Sequence, residues 1–430
     1  MSAYRHDMVA MIEDSGMAPN KTIPEKNSYD VVIIGGAMMG SSCAWFLKKH
    51  YGFDGSVLVV DRDLSYEFAS TSHTNSCVRQ QFSNELNIRL SQFTVDFIRD
   101  FKQFMAPEPD VPELRIQNFG YLYLTDDPAK AEILKKLQVI QSDLGAGTTI
   151  LSPADIAARY PFYELDDIIL GSLNTKDEGY FEGSTIFEWF RRSARHAGVE
   201  YIENEVAAIA RTGRKVTGIT LASGETITAG TIINASGTRA SKTAEMAGFD
   251  PLPVEPRIRY TYIIEAEQPL DQDLPLTIDP TGIHYRTYGS QYMVGSPPAD
   301  DYPRAHDDFA MDHSYWENNV WPILASRIPA FEAVKMVNVW AGHYSYNTVD
   351  QNAIVGLHPD CDNFIFMNGF SGHGLQQSPG MGRGVAELIM HGAYQSLGAK
   401  AACQDILTSL FNIRPFQVRL SQRSGIHSLT

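Results

Sequence analysis

The sequence predicts an α/β protein in which a nucleotide-binding domain, assembled from separate pieces of chain, carries an inserted antiparallel sheet. Residues 29–62 give a buried strand, a glycine turn, a helix and a second buried strand, which together form a βαβ unit. Residues 254–264 instead alternate polar and apolar side chains with the period of two that strands have, and residues 282–296 can pair with them. The 430 residues also exceed the roughly 250–300 residues of a single compact core, so we expect two domains.

Composition and charge disfavour several classes of protein. The chain has 51 acidic and 35 basic residues, a formal net charge of −16 and no run of Lys or Arg, so no nucleic-acid partner is expected. Its N-terminus, MSAYRHDMVAMIEDSG, lacks the apolar core of a secretory signal and contains acids. No apolar run approaches the ~20 residues of a membrane span, so we expect a cytoplasmic protein with no transmembrane segment. The cysteines Cys43, Cys77, Cys361 and Cys403 form no CxxC pair, and no metal site is expected.

The glycine turn of the βαβ unit, GGAMMG, has the pattern G-x-A-x-x-G. Its first glycine makes the tight turn, its small middle residue lets a pyrophosphate approach, and its last glycine lets the helix pack on the strand. The helix N-terminus then offers free N–H groups to phosphates, and the acid that ends VLVVD can accept both ribose hydroxyls of an adenosine. This predicts a Rossmann-like dinucleotide site. Its residues would be Gly35, Gly36, Ala37, Met38, Met39, Gly40 and Asp61.

Local signals predict the elements that follow. Apolar spacing predicts helices, a Ser cap begins one of them, and alternating stretches predict strands. The stretch 205–237 predicts a β-meander that ends in a buried strand and a small-residue turn. The other predicted elements are a helix at 86–105, a strand at 119–125, a helix at 127–145, a Ser-capped helix at 152–161 and a helix leading into a strand at 183–202.

Two stretches resemble the amine-oxidising flavoproteins of the D-amino-acid oxidase, glycine oxidase and sarcosine oxidase superfamily. They are FASTSHTNSCVRQQFS, after the second strand, and WAGHYSYNTVDQNAIVGLHPDCDNFIFMNGFSGHGLQQSPGMGRGVAELI, near the end. Within that superfamily they are most similar to the mitochondrial branch of FAD-dependent oxidoreductase domain-containing proteins linked to respiratory complex I assembly. The resemblance covers roughly residues 30–395. It implies FAD, bound noncovalently or covalently, and oxidation of a secondary or tertiary amine, usually an N-substituted amino acid.

The resemblance gives the glycine-dense end of the chain a reason. Gly369, Gly372 and Gly374 would follow a returning parallel strand where the backbone passes along the isoalloxazine. A helix beginning near Ser378–Gly380 would point its N-terminus at the pyrimidine edge of the ring, where its dipole stabilises negative charge. The further residues expected to touch FAD are Arg62, Ser70, Thr71, Ser72, His73, Thr74, Asn75, Val206, Ser236, Gly237, Gly369, Gly372, His373, Gly374, Leu375 and Gln376.

The same resemblance divides the chain into pieces of two domains. The FAD-binding domain and the substrate domain alternate along the sequence, with an extension before them and a tail after them. The expected boundaries are 1–28 for the N-terminal extension, 29–110, 175–252 and 339–395 for the FAD-binding domain, 111–174 and 253–338 for the substrate domain, and 396–430 for the C-terminal tail.

Two arginines are candidates for binding a substrate carboxylate, which an arginine fork suits. Arg79 aligns with the sarcosine-oxidase segment that supplies such an arginine, and Arg286 aligns with the arginine of the glycine and D-amino-acid oxidases. Either arginine could instead make a structural salt bridge. Tyr260 and Tyr262 lie two apart and face the same side of one strand, where they would line the pocket or pack in the core. Gln376 stands where monomeric sarcosine oxidase has a carboxylate-binding lysine, which weakens a simple sarcosine assignment.

Three histidines are candidates for the chemistry. His343 occupies the position of the flavin-linked cysteine of monomeric sarcosine oxidase, which argues against a cysteinyl flavin here. His73 resembles the histidine that carries the covalent flavin of dimethylglycine dehydrogenase, although contact with the pocket or phosphate and plain hydrogen bonding stay open for it. His373 lies inside the glycine cluster, and we expect it near the flavin. His373 and His343 are the candidate catalytic residues.

The function predicted is FAD-dependent oxidation of the C–N bond of an amino acid or N-alkyl amino acid, followed by hydrolysis of the imine. The partners would be that small substrate and either O₂ or an electron-acceptor protein. Two alternatives stay open. The chain could be a flavin-holding assembly or scaffold protein of the respiratory chain. It could also oxidise a 2-hydroxy acid, for which His373 or His343 could serve as the base.

Overall fold

The structure, a computed structural model, describes residues 21–395. The chain folds as two compact units. The βαβ unit contains residues 21–71, 184–256 and 344–395 of the described part, and the mixed-sheet unit contains residues 72–183 and 257–343. Most of the predicted N-terminal extension and all of the predicted C-terminal tail lie outside the described residues. Mixed α/β architecture, the predicted fold class, is confirmed.

The strands occur in both units. In chain order they are β1 (Ser28–Ile34), β2 (Val57–Asp61), β3 (Cys77–Val78), β4 (Tyr121–Thr125), β5 (Thr149–Leu151), β6 (Leu170–Asn174), β7 (Gly179–Tyr180), β8 (Glu200–Glu203), β9 (Val206–Thr212), β10 (Lys215–Leu221), β11 (Thr226–Asn234), β12 (Val254–Ala266), β13 (Leu276–Ile278), β14 (His284–Tyr288), β15 (Gln291–Ser296), β16 (Val334–Asn347), β17 (Ile354–Leu357) and β18 (Phe364–Asn368).

The α-helices vary from one turn to five turns. In chain order they are α1 (Met38–Trp45), α2 (Glu85–Arg99), α3 (Phe101–Met105), α4 (Pro128–Asp143), α5 (Pro153–Arg159), α6 (Gly183–His196), α7 (Ala240–Met246), α8 (Trp321–Arg327) and α9 (Gly374–His391). A π-helical turn, Phe46–His50, continues α1. Among residues 21–395, none of these helices has both the length and the apolar content that crossing a bilayer requires.

The sheet of the βαβ unit has the strand order β17-β18-β11-β1-β2-β8, and β10 and β9 extend from β11 as the predicted meander. The pairs β18–β11, β11–β1, β1–β2 and β2–β8 are parallel. Strand β1 is buried from Val31 to Ile34, which suits a strand that has neighbours on both sides and helices over its faces. Because parallel strands end at the same edge, the loops after β1, β2, β11 and β18 gather at one edge of this sheet.

Helices α1 and α9 pack closely on each other in the βαβ unit. A Cβ atom on Gly382 would lie 2.1 Å from the Ser42 hydroxyl and 2.8 Å from the Ser42 backbone carbon, so only glycine permits this approach. The Ser42 hydroxyl donates to the Ser378 carbonyl over 2.7 Å. Pro379, inside α9, has no N–H for the Leu375 carbonyl, and the Ser378 hydroxyl donates to that carbonyl instead over 2.9 Å. The crossing is therefore tight and fully hydrogen-bonded at its centre.

Two expectations differ from the structure. Helix α9 begins at Gly374, four residues before the expected start near Ser378–Gly380, because the Ser378 hydroxyl lets the helix continue through Pro379. Residues 72–110, which we expected in the FAD-binding domain, group with the mixed-sheet unit, where α2 packs against α4 and β3. Helix α1 is buried on all sides.

The mixed-sheet unit contains a sheet of order β16-β12-β15-β14-β13-β4-β6-β5. Its β13–β4 pair is parallel, and the pairs β12–β15, β15–β14, β14–β13, β4–β6 and β6–β5 are antiparallel. One face of this sheet packs on α8, α5 and their flanking turns to form a hydrophobic core. The row Tyr262, Val294 and Tyr285 runs across three adjacent strands in this core. The other face carries the residues that alternate with them.

An ion cluster with two buried members, Arg327 and Asp279, joins the end of α8 to this sheet. Arg327 donates to both carboxylate oxygens of Asp167, over 2.7 and 2.8 Å, and its Nε donates to Asp279 over 3.0 Å. The side chains of Arg327 and Asp279 are 8% and 1% exposed. Arg327 holds the pKa of Asp167 below its usual value. Removing one member of such a cluster leaves a buried charge without its partner.

We predict that Arg327→Ala destabilises the protein by about 3–5 kcal/mol, because Asp279 would stay buried without a counter-charge. Equilibrium unfolding in urea, followed by circular dichroism, measures the effect. The control is Lys135→Ala, which breaks an exposed Lys135–Glu132 pair and should cost less than about 1 kcal/mol. Equal effects of the two substitutions would show that the cluster is not a stabilising contact.

Candidate functional site

The glycine turn after β1 is shaped by contacts within the βαβ unit. Gly35 has φ +99°, and a Cβ atom there would lie 2.3 Å from the Ala235 carbonyl oxygen. A Cβ atom on Gly40 would lie 1.9 Å from the Gly35 carbonyl oxygen. The first and last glycines of the pattern are therefore required by the turn and by the packing of α1. The first-turn N–H groups of α1 point out of its N-terminus, as they do in any helix.

Asp61 ends β2 beside this turn. Its Oδ2 accepts from the Gly36 amide over 2.7 Å, and its Oδ1 accepts from the Asp63 amide over 3.1 Å. Burial raises the pKa of Asp61 to about 6, against the opposing effect of those two hydrogen bonds. Thr71 accepts from the Met38 amide over 3.3 Å, so the segment predicted to follow β2 into the site reaches the first turn of α1. An acceptor carboxylate and a helix N-terminus thus lie together.

The N-termini of α1 and α9 lie side by side. A Cβ atom on Gly374, the first residue of α9, would lie 3.1 Å from Cε of Met39 in the first turn of α1. Neither helix has an acidic residue in its first turn. Two positive dipole ends therefore converge, and the first turns themselves carry no carboxylate to neutralise them. Such an arrangement attracts anionic groups of a ligand.

The glycine cluster before α9 has reasons within the protein. A Cβ atom on Gly372 would lie 2.5 Å from the Tyr344 ring, and one on Gly369 would lie 3.1 Å from Val254. Ser371, at φ +50°, accepts from the Asn347 amide over 2.9 Å and holds this loop to the end of β16. We expected contact with a cofactor alone to account for these glycines. Tight packing of the loop on its own unit accounts for Gly369 and Gly372.

The other predicted cofactor residues of the βαβ unit occupy varied places. The side chain of Val206 is buried in the core, so only the backbone of this residue could contact a ligand. Ser236 donates to Asn234 over 2.7 Å, and the carbonyl of Gly237, at φ +59°, accepts from Ser345 over 3.0 Å. Arg62 is exposed, and Ser70 is exposed at the start of a 3₁₀ turn, Ser70–His73. His373, Leu375 and Gln376 flank or form the first turn of α9, and His373 and Gln376 are buried.

These residues fit FAD. Two adjacent helix N-termini suit the diphosphate and the negative pyrimidine edge of a reduced flavin, and a carboxylate at the end of β2 suits ribose hydroxyls. All of these groups lie in the βαβ unit: Gly35–Gly40, Asp61, Thr71, Ser236, Gly237 and the start of α9.

Arg286, on β14 of the mixed-sheet unit, is a buried cation. Its residue is 2% exposed. Nη1 donates to the Thr287 carbonyl and Nη2 to the Asn75 carbonyl, each over 2.8 Å, and the guanidinium lies 4.8 Å from the Tyr180 ring centroid. Its buried Nε has no hydrogen-bond acceptor among the described residues. Nor does any carboxylate in residues 21–395 form an ion pair with it. A guanidinium does not lose its proton in proteins, so Arg286 is a buried charge that could accept an anionic partner.

Arg79 is buried in a different environment. Its Nη1 donates to the Gln81 carbonyl over 2.6 Å, and its guanidinium lies 4.0 Å from the Phe82 ring centroid. Glu178, fully buried, accepts from the Gln80 amide over 2.6 Å. Burial raises the pKa of Glu178 to about 7, and the charge of Arg79 opposes that rise. Arg79 therefore has a protein carboxyl as its electrostatic partner, whereas no carboxylate of residues 21–395 forms an ion pair with Arg286.

Tyr260 and Tyr262 do not join Arg286. Tyr262 pairs across strands with Val294, and Val294 pairs with Tyr285, so these residues share one face of the sheet. Arg286 follows Tyr285 and projects from the opposite face. Both predicted tyrosines lie in the hydrophobic core, 2% and 1% exposed. The core alternative that the sequence left open is thus the one that describes them.

Asn75 joins Arg286 to a histidine that sequence reasoning missed. Besides accepting from Arg286 through its carbonyl, Asn75 donates from its side chain to Nε2 of His284 over 2.8 Å. His284 lies two residues before Arg286 on β14, so both project from the same face. The period-two spacing in GIHYRTYG was the available signal. Of the neighbouring predicted residues, Thr74 accepts from the Ser76 amide over 3.2 Å, and Ser72 lies half-buried in the 3₁₀ turn.

His343 and His73 both stack on one aromatic ring, that of Phe309, in the mixed-sheet unit. The Phe309 ring stacks on His343 at 4.2 Å and on His73 at 6.2 Å between centroids. Nε2 of His343 donates to the Asp308 carbonyl over 2.8 Å, and burial lowers the pKa of His343. A Cβ atom on Gly342 would lie 2.4 Å from Cβ of His73, so that glycine gives the histidine its place. His343 is therefore a hydrogen-bonded residue that stacks on Phe309.

Comparison with known proteins identifies the family. The model of the family described as DAO, FAD dependent oxidoreductase, matches residues 30–388. FAD-dependent oxidoreductase domain-containing protein 1 of Xenopus laevis is 35% identical over 419 residues, covering 89% of this chain and 83% of that protein. Human mitochondrial sarcosine dehydrogenase is 24% identical over 389 residues, covering 87% of this chain and 41% of that protein.

Solved structures show the same fold. L-proline dehydrogenase from P. horikoshii aligns with a TM-score of 0.74 at 23% identity, covering 88% of this chain and 96% of that one. The family match spans most of the chain, and the resemblance expected from the two sequence motifs is confirmed. The chain belongs to the DAO family of FAD-dependent oxidoreductases, and its cofactor is FAD.

Proposed function

We propose that this protein oxidises the C–N bond of an amino acid or N-alkyl amino acid whose carboxylate binds to Arg286. The observation that carries the proposal is the uncompensated charge of Arg286: it is 2% exposed, its Nε has no acceptor, and no carboxylate of the described residues pairs with it. A substrate carboxylate would supply the missing anion through the fork geometry that guanidinium favours.

The residues of this chain would bind, orient and desolvate rather than exchange protons. FAD supplies a two-electron oxidant that accepts a hydride from the carbon next to nitrogen. Arg286 would hold the carboxylate at one end of the substrate. This contact would orient the substrate and thereby fix the position of its reacting carbon. Tyr180 and Tyr288, whose rings lie 4.8 and 5.5 Å from the guanidinium, would keep water from that contact. Hydrolysis of the released imine needs only water.

Arg286 is the better supported of the two candidate arginines. Arg79 lies in the field of Glu178 and donates to a backbone carbonyl of its own segment, which suits a structural cation. Oxidation of a 2-hydroxy acid would need a base, and Nε2 of His343 is already a donor to the Asp308 carbonyl, which leaves His373 as the candidate base. We favour the amine as the group oxidised because its oxidation needs no base from the protein. A cytoplasmic location and an electron acceptor, O₂ or a protein, stay predictions from the sequence.

We predict that Arg286→Lys raises the KM for a carboxylate-bearing amine about 100-fold, because lysine keeps the charge but loses the two-pronged contact. Anaerobic mixing of the FAD-loaded protein with N-methyl amino acids, amino acids and 2-hydroxy acids would find the substrate through loss of the flavin's visible absorption. The KM is then measured for each variant by the same signal.

The control for that experiment is Arg115→Lys, whose side chain is 85% exposed and which should keep the original KM. A coloured protein that no member of the panel reduces would remove the proposed activity and favour the scaffold alternative. If amines reduce the flavin of Arg286→Lys with the same KM as that of the unaltered protein, the protein oxidises amines but Arg286 does not bind their carboxylate.

We predict that Asp61→Ala weakens FAD binding about 10- to 100-fold, because a charged hydrogen-bond partner of the ribose is lost. Titration of the FAD-free protein with FAD, followed by quenching of flavin fluorescence, gives the dissociation constant. The control is Asp54→Ala, an exposed acid in the loop before β2, which should bind FAD as the unaltered protein does. Equal affinity in both variants would place the ribose elsewhere.

A further inference from the structure

We propose that His284 is a positioning residue for Arg286: through Asn75 it fixes the guanidinium in the orientation that binds a substrate carboxylate. The inference rests on the proposed function, since it takes Arg286 as the carboxylate anchor. His284 itself would not touch the reacting atoms. Its effect passes through two hydrogen bonds that meet at one residue, Asn75.

The guanidinium of Arg286 donates to two backbone carbonyls that belong to different segments of the chain. The Thr287 carbonyl belongs to β14 itself and moves with Arg286. The Asn75 carbonyl comes from a separate segment that precedes β3, so its distance from Arg286 depends on what fastens that segment to β14. The side chain of Asn75 provides such a fastening, because it donates to His284 on the same face of the same strand. Asn75 is thus bonded to β14 twice.

His284 is built to receive this hydrogen bond. The Asn75 amide can only donate from its Nδ2, so Nε2 of His284 accepts and the imidazole is neutral. Burial lowers the pKa of His284 to about 4, opposed by a backbone hydrogen bond with Gly282 and aided by the charges of Arg259 and Arg286. The ring therefore keeps its acceptor nitrogen at neutral pH. A protonated ring would lose the bond to Asn75.

Two features of the neighbouring backbone make the arrangement specific. His284 pairs across strands with Gly295, where a Cβ atom would lie 2.1 Å from Nε2 of His284. Only glycine at this position lets the ring lie where Asn75 reaches it. Ser76, at φ +51°, adopts a left-handed conformation that is uncommon outside glycine and turns the chain directly after Asn75. Its carbonyl accepts from the Phe181 amide over 2.9 Å, which holds the turned segment.

The test measures carboxylate binding by calorimetry in FAD-loaded protein, with benzoate and acetate as monocarboxylate probes. His284→Ala removes the acceptor, and Gly295→Ala displaces the ring while keeping every hydrogen-bonding group. We expect each to weaken benzoate binding about tenfold, since a small misplacement of an orienting group has effects of that size or larger. FAD content should not change. His313→Ala, an exposed histidine of the same unit, is the control and should bind benzoate normally.

A double-mutant cycle with Arg286→Lys separates positioning from general damage. If His284 acts through Arg286, His284→Ala should change affinity by less than about twofold once Arg286 is lysine. Equal losses in both backgrounds would overturn the inference, and so would normal binding in Gly295→Ala, which also decides the matter should His284→Ala not fold. Loss in Arg286→Lys with normal binding in both single variants would leave the proposed function standing and remove this inference. Binding unaffected by Arg286→Lys, or no binding of either probe to the unaltered protein, would instead contradict the proposed function.

Discussion

The close crossing of α1 and α9 is the constraint on which the cofactor site depends. Gly382 lets the α9 backbone approach Ser42, and the Ser42 hydroxyl fixes the contact on the Ser378 carbonyl. Because the helices cross so tightly, their first turns at Met39 and Gly374 also meet, and two positive dipole ends share one place. Repulsion between those ends is offset when an anion binds both. The position proposed for the diphosphate thus follows from helix packing, whereas the position proposed for the ribose depends on the Asp61 carboxylate.

In the mixed-sheet unit, the two faces of one sheet have different roles. One face carries Tyr260, Tyr262 and Tyr285 and gives the unit its hydrophobic core. The opposite face carries His284 and Arg286, and within the described part of the chain the buried Arg286 forms no ion pair with a carboxylate. Burying an unpaired charge costs free energy because the charge loses its hydrating water. The two backbone carbonyls and the aromatic rings around Arg286 compensate for only part of this loss. A carboxylate ligand would complete that compensation, which gives a physical basis for recognising amino acids.

Much of the fold and of the cofactor site can be predicted from the sequence, and the features that cannot be predicted have physical reasons. The βαβ unit, the meander and both flavin motifs follow from local patterns, and the family and cofactor they implied are confirmed. Alternation correctly placed Tyr260 and Tyr262 on one face, but period-two spacing does not say which face packs in the core. The start of α9 was misplaced because a proline normally ends a helix, and the hydrogen bond from Ser378 that compensates for Pro379 is not a sequence signal. The bond between Asn75 and His284 joins segments about 200 residues apart, which no local pattern reveals.

A crystal structure of the FAD complex tests the central claim most directly, because that claim is geometric. We predict that the diphosphate lies at the first turn of α1 and the pyrimidine edge of the flavin at the first turn of α9. The crossing at Gly382 and Ser42 should be unchanged. FAD bound away from these two helix N-termini, or a crossing that opens on binding, would contradict it.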